Sequence, residues 1–209
     1  QGRIIRGDTD SLRAVLWFSD LRGFTELASR VAPSLLIGVL NDLFDCQVPA
    51  IEKHGGEVLK FMGDGLLAIF PIAEGNEEAV CERAFAATDE AYAALDELNA
   101  SRAARSDTPI KFGLALHVGE IAYGNIGGAG RLDFTCIGPA VNLAARLEGL
   151  TGKLGKPIVV SAEVARKTKR ALVSMGEFDL KGVSGAQEVF AFPPDHRLAT
   201  FDPVDLQSH

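Results

Sequence analysis

Dense stripes of Lys and Arg interleaved with aromatics are missing from this sequence, and its formal charge is −7. Both features argue against a protein whose main task is neutralising nucleic-acid phosphates. Cysteine is scarce: Cys46, Cys81 and Cys136 are odd in number and widely spaced. They offer neither a disulfide framework nor a zinc spacing, so a reduced, cytoplasmic setting with buried apolar thiols is expected. His54, His117, His196 and His209 are scattered, which removes a His/Cys zinc centre. No basic-then-apolar leader is present, and no run reads as the about 20 apolar residues of a membrane span. No membrane segment is therefore expected in this fragment. A Gly-x-x-x-x-Gly-Lys-Ser/Thr run is absent, and Gly128-Ala129-Gly130 has Asp133 where a dinucleotide fingerprint needs its third glycine. Internal repeats and low-complexity segments are also missing. The chain begins on Gln1 rather than Met, which suggests a fragment preceded by an upstream regulatory domain.

What is present suits one folded domain: 209 residues, 47% of them hydrophobic. Residues 1–12 are polar and read as a lead-in, 13–192 as the domain, and 193–209 as a tail. Ala14-Val15-Leu16-Trp17-Phe18 is a continuous apolar run, as in a central strand buried on both faces. A helix is predicted from Gly23 to Val31, restarting at Pro33, a tolerated first-turn position. Leu35, Leu36, Val39, Leu40, Leu43 and Phe44 then give it one apolar face, with Pro49 set to kink or end it. His54-Gly55-Gly56 closes that helix, and strands over 57–61 and 66–70 form a hairpin. Residues 76–105 read as a long surface helix, 111–117 as a strand, and the glycines of 124–130 as a loop before a strand over 132–137. A helix over 138–150, a strand over 157–160, a Ser161-capped helix to about Lys169, and strands over 178–181 and 188–192 follow. This order predicts an α+β fold of the ferredoxin-like, split βαβ kind, with an antiparallel-rich sheet and helices on one face.

Two acidic turns stand out. Trp17-Phe18-Ser19-Asp20-Leu21-Arg22-Gly23-Phe24-Thr25 and Lys60-Phe61-Met62-Gly63-Asp64-Gly65 each end an apolar run on an aspartate beside glycine. Either aspartate alone reads as a cap or turn former. Together they offer hard oxygen donors of the kind Mg²⁺ or Mn²⁺ takes, often completed by phosphate and water. They lie 44 positions apart, so only a fold that returns the second strand beside the first makes them one site. The amides of 21–25, at a helix start just after Asp20, suit an anion as well as an ordinary cap. Asn142 and Arg146 are four apart on a predicted helix and share a face. They are either a solvated surface pair or fixed groups for a ribose and a developing phosphate charge.

Three ordered segments carry a resemblance: Phe18-Ser19-Asp20-Leu21-Arg22-Gly23-Phe24-Thr25, Lys60-Phe61-Met62-Gly63-Asp64, and Ile137-Gly138-Pro139-Ala140-Val141-Asn142-Leu143-Ala144-Ala145-Arg146. Together they resemble the signature segments of class III nucleotidyl cyclases, in order over about 13–192. The resemblance implies the palm fold of that family and conversion of ATP to 3′,5′-cyclic AMP and pyrophosphate, with two Mg²⁺ or Mn²⁺ per active site. It implies metal binding by Asp20 and Asp64, purine reading by Lys60 and Thr135, and action of Asn142 and Arg146 on ribose and transition state. Gly23, Phe24 and Thr25 would meet phosphate through their amides, and Lys181, in Asp179-Leu180-Lys181-Gly182, resembles the family's phosphate-binding lysine. In the family the site lies between two domains, which implies a homodimer with composite sites. Threonine at 135, where the commonest adenylyl pattern has aspartate, resembles the class IIIb subgroup, some of whose members respond to bicarbonate. Guanylyl enzymes typically carry glutamate at the Lys60 position. A guanylate cyclase and a catalytically silent nucleotide-binding signalling module are the alternatives; a diguanylate-type signature is absent.

Overall fold

The computed structural model describes the backbone of residues 9–128 and 131–194 and the side chains of 11–124 and 135–194. The expected lead-in up to Asp8, the pair Ala129-Gly130, and the tail with His196 and His209 lie outside the described residues. The apolar run of 14–18 forms the middle of β1 (Thr9–Leu21), antiparallel on one side to β3 (Gly65–Pro71) and on the other to β4 (Phe112–Gly128). Ala14, Val15, Leu16 and Trp17 are fully buried, as a strand covered on both faces requires. The sheet runs β2 (Glu57–Met62), β3, β1, β4, β6 (Ile158–Ser161), β8 (Gln187–Ala191), β7 (Val173–Phe178), and β5 (Arg131–Ile137) pairs with the outer half of β4. Among these pairings only β4 with β6 is parallel.

The helices cover both faces, which corrects the expectation of helices on one. α2 (Pro33–Lys53) and α3 (Glu77–Ala104) pack Leu43, Ile51, Ala84 and Phe85 against the side of the sheet that presents Val15, Trp17, Leu66 and Leu116. α4 (Pro139–Glu148) lays Ala140 and Ala144 over Ala14, Leu16 and Leu67 on the other side, and Leu143 and Leu147 over Ala115 and Val159. Successive β1 residues point to opposite faces, so burying both alternating sets needs a helical layer on each side. By length and composition α2 is apolar enough to cross a membrane, contrary to the reading that no run approaches a span. In the fold its apolar stripe of Val39, Leu43, Cys46, Ala50 and Ile51 is core.

α1 (Phe24–Arg30) and the Pro33 start of α2 follow expectation, and α2 continues through Pro49 to Lys53. β1 begins at Thr9 rather than Arg13 because its first residues pair with 121–124 of β4. The glycines of 124–128 are strand, not loop: they pair residue for residue with 131–135, and a hairpin ladder needs backbone only. The strand expected at 178–181 is β7, ending at Phe178. Its Val173 and Glu177 are exposed, so the alternation that marks a half-buried strand is weak there. α5 (Leu150–Leu154) is a further short helix, and α6 (Ala162–Ala165), capped by Ser161 as expected, is shorter than the reach to Lys169.

Gln47 and His117 are among the polar residues buried in this core. Gln47, fully buried on α2, accepts hydrogen bonds from Trp17 Nε1 (3.1 Å) and Ser19 Oγ (2.5 Å) through one oxygen. Gln47→Leu strands both donors, at about 1–3 kcal/mol each. We expect a drop of roughly 2–6 kcal/mol in urea unfolding, partly recovered when Ser19→Ala is added because one orphan donor is then gone.

His117 on β4 is 5% exposed, with Nδ1 2.9 Å from Ser161 Oγ and 3.7 Å from the Glu163 carboxylate. Burial pushes its imidazole down to about 4, the Glu163 charge opposes this, and Arg13 adds to it. The folded value lies below the ordinary 6.5. Its contribution to stability is therefore complete above that value and is lost as pH falls toward 4. Between pH 7.5 and 5 the loss is on the order of 2 kcal/mol. Asp20, whose carboxyl is raised to about 7, contributes with the opposite sign over this window in both proteins, so urea unfolding at the two pH values should show the parent losing about 2 kcal/mol relative to His117→Gln.

Candidate active site

The sheet order brings the two acidic turns together. Asp20 stands near the end of β1, directly opposite Gly65, and Asp64 occupies the turn just before Gly65. Leu21 N donates to the Asp64 carbonyl at 3.1 Å, which pins the turn to the strand end. The β2–β3 turn has two residues, Gly63 and Asp64, between the paired Met62 and Gly65. Gly63 has φ +62 with open space around its Cα, so glycine there serves the backbone of a tight hairpin. Gly65 is glycine for room: a Cβ there would lie 3.0 Å from the Ser19 carbonyl oxygen and 3.3 Å from Asp20 Oδ1.

Burial pushes the Asp20 carboxyl up to about 7, and its hydrogen bond to Asp64 and the charges of Asp64 and Glu148 push the same way; the Leu21 N–H opposes them. Two carboxylates this close are costly without a positive charge between them. Their oxygens have the donor chemistry of Mg²⁺ or Mn²⁺ and are fewer than a full shell, as suits an ion that keeps waters and substrate phosphate. No group of three or more His, Cys, Asp or Glu able to hold a metal occurs among the described residues. The residues present thus fit a cation shared with a phosphate ligand.

The other predicted residues divide around this pair. Lys60 is exposed on β2, opposite Leu67, after a bulge between Val58 and Lys60. It therefore stands on the face that carries Asp20, Phe18 and Leu67. Thr135, half-buried on β5, lies opposite Gly124. Asn142 and Arg146 are both exposed on α4, away from its buried residues Ala140, Leu143, Ala144 and Leu147. Lys181 is exposed and falls past β7, where Val183 N closes a turn onto the Leu180 carbonyl at 3.0 Å. Gly23, with φ +69, caps α1, and Phe24 and Thr25 begin it. Leu21 and Arg22 do not share in a helix-start anion site: Leu21 N bonds Asp64 and Arg22 N bonds the Lys111 carbonyl at 2.8 Å.

The sequence reading missed Glu148 and Arg22. Both are half-buried, and the charge of each acts on the other beside the aspartates. A signal for Glu148 existed: Ala140, Ala144 and Glu148 recur at four-residue spacing, so the inward stripe of α4 ends on a charge.

Comparison with known proteins bears on the family and the fold. The sequence model for adenylate and guanylate cyclase catalytic domains matches residues 10–193. An adenylate cyclase of Anabaena cylindrica is 32% identical over 164 residues, covering 77% of this chain and 32% of that protein. A bacterial light-regulated adenylyl cyclase superposes with a TM-score of 0.76 at 25% identity, over 88% of this chain and 52% of that one. The guanylyl cyclase Cya2 gives 0.75 at 29% identity, over 95% of this chain and all of that one. The chain spans about a third or less of the length of the curated relatives it matches. With the sheet, the paired acidic turns and these matches in agreement, the chain belongs to the adenylate and guanylate cyclase family, as a class III nucleotidyl cyclase catalytic domain.

Proposed function

We propose that the chain converts ATP to 3′,5′-cyclic AMP and pyrophosphate at a site shared by two copies of itself. The observation that carries this reading is the Asp20–Asp64 pair at the strand end and hairpin turn. These carboxylates would hold two Mg²⁺ or Mn²⁺ ions, which when bound supply acidification of the ribose 3′-hydroxyl and neutralisation of triphosphate charge. The 3′-oxygen attacks the α-phosphorus in line, the bond to pyrophosphate breaks, and the hydroxyl proton leaves to solvent. The amides of Gly23, Phe24 and Thr25 and the Lys181 ammonium hold the departing phosphates. From the second copy, Lys60 donates to a purine ring nitrogen and the Thr135 hydroxyl accepts from the adenine amino group. Asn142 of that copy orients the ribose, and its Arg146 stabilises charge on the α-phosphorus. Exposure of Asn142 and Arg146, away from their own chain's core, supports the shared site.

The likeness to the guanylyl cyclase Cya2 makes GTP the second reading, and Lys60 argues for ATP. Incubating the chain with ATP or GTP and Mg²⁺ or Mn²⁺, over a range of protein concentrations, should yield cyclic AMP with specific activity rising with concentration. Lys60→Glu should lower kcat/KM for ATP by about 10–100-fold, the loss expected of a charge-assisted hydrogen bond. Cyclic GMP as the main parental product would replace the adenylyl reading with the guanylyl one.

A further inference from the structure

Arg22 occupies a slot made by two glycines. A Cβ at Gly152 would come 2.8 Å from Arg22 Nη1, and one at Gly113 would come 3.1 Å from Arg22 Nη2 and 2.5 Å from Glu148 Oε1 and would collide with the Thr151 hydroxyl. Arg22 Nη2 donates to the Lys156 carbonyl at 3.2 Å, and the Thr151 hydroxyl lies 3.3 Å from Glu148 Oε1. Arg22, Glu148 and Thr151 thus converge over the Cα of Gly113. Gly113 is the β4 residue directly opposite Asp20, and its side of β4 is the α4 side. The pair therefore stands next to the Asp20 carboxylate, on the same face of the sheet. Its charges reach the aspartates: Glu148 acts on Asp20, Asp64 acts on Glu148, and Asp20 acts on Arg22.

Sequence position gives the pair two ends. Arg22 follows the strand that presents Asp20, while Glu148 ends α4, the helix that presents Asn142 and Arg146. We propose that Arg22 and Glu148 are positioning residues: converging over Gly113, this half-buried pair locks the last turn of α4 to the Asp20 strand end and sets the placement of the carboxylates there. This inference rests on the cation reading of Asp20 and Asp64. Because the same pair braces the helix of Asn142 and Arg146, one contact holds the two half-sites of a single chain in register.

The test reads cation affinity without turnover. Mn²⁺ is titrated against the chain with 3′-deoxy-ATP, which lacks the attacking hydroxyl, and bound ion is followed by loss of the free Mn²⁺ EPR signal. Glu148→Gln should weaken Mn²⁺ affinity about tenfold, and Glu148→Asp, which keeps the charge, should stay within about threefold of the parent. Stability is read separately by urea unfolding. Arg22→Met with Glu148→Leu replaces the half-buried pair by apolar groups and should unfold at a midpoint near the parent's, yet bind Mn²⁺ as weakly as Glu148→Gln. Parental affinity in Glu148→Gln, or in the double variant, overturns the proposal by reducing the pair to a packing element. Asp20→Asn in the same titration separates the two layers. If it leaves Mn²⁺ affinity unchanged, the cation reading itself fails; if it weakens binding while Glu148→Gln does not, only the role of the pair fails.

Discussion

Asp20→Asn should abolish most cyclase turnover while leaving a fold at least as stable as the parent's. The side chain keeps its shape and its opposition to Gly65, so the strand end and the hairpin turn stay where they are. What is lost is one of two carboxylates crowded with Glu148 in a partly buried site. Removing one negative charge from that group relieves repulsion, so in metal-free buffer we expect a gain of roughly 1–3 kcal/mol. Turnover should fall by about 10²–10³-fold, the scale set by loss of one preorganised charge at a reacting centre. The two opposite effects make the result diagnostic, because a variant inactive through misfolding would lose both. Thermal unfolding without metal, and product formation with Mg²⁺ or Mn²⁺, measure them. Near-parental turnover in Asp20→Asn would remove Asp20 from the metal site.

The parts of this domain legible in the sequence are those written in local pattern. The apolar run of 14–18 reads as a strand buried on both faces because no polar residue interrupts it, and it lies between β3 and β4. Gly63 and Asp64 read as a hairpin turn because two residues there need an unusual backbone, and Gly63 supplies φ +62. Long-range pairing is what the pattern hid. Gly124 to Gly128 reads as loop since glycine carries no strand preference, yet a partner strand at 131–135 supplies the hydrogen bonds. The second helical layer was hidden likewise: the run from Pro139 shows an apolar stripe, but nothing local says which face of a sheet it covers. At the site, the aspartates could be picked out by their neighbours, and their meeting could not. Glu148 was hidden because it is 84 positions from Asp64, and only the β4 register brings it over Gly113, beside Asp20.

Mixing two dead chains should restore activity. Asp20→Ala removes a carboxylate from the half-site at the β1 end, and Arg146→Ala removes the guanidinium from the exposed side of α4. If each site takes aspartates from one copy and Arg146 from the other, both homodimers have two defective sites. A heterodimer has one site carrying both lesions and one carrying neither. Statistical mixing of equal amounts makes half the dimers heterodimers, so activity should return to about a quarter of the parent's per chain, from a background about 10²-fold lower or less. The placement of Arg146 is in keeping with this outcome: it is exposed on α4, away from that helix's buried residues. Activity should rise with total protein until heterodimers saturate, and size-exclusion chromatography with one tagged chain verifies that they form. A single chain that used its own Arg146 would gain nothing on mixing, because every site in the mixture would keep its original lesion. Heterodimers that form without regaining turnover would therefore place Arg146 and the aspartates of one chain in the same site, and a monomer would then be the active unit.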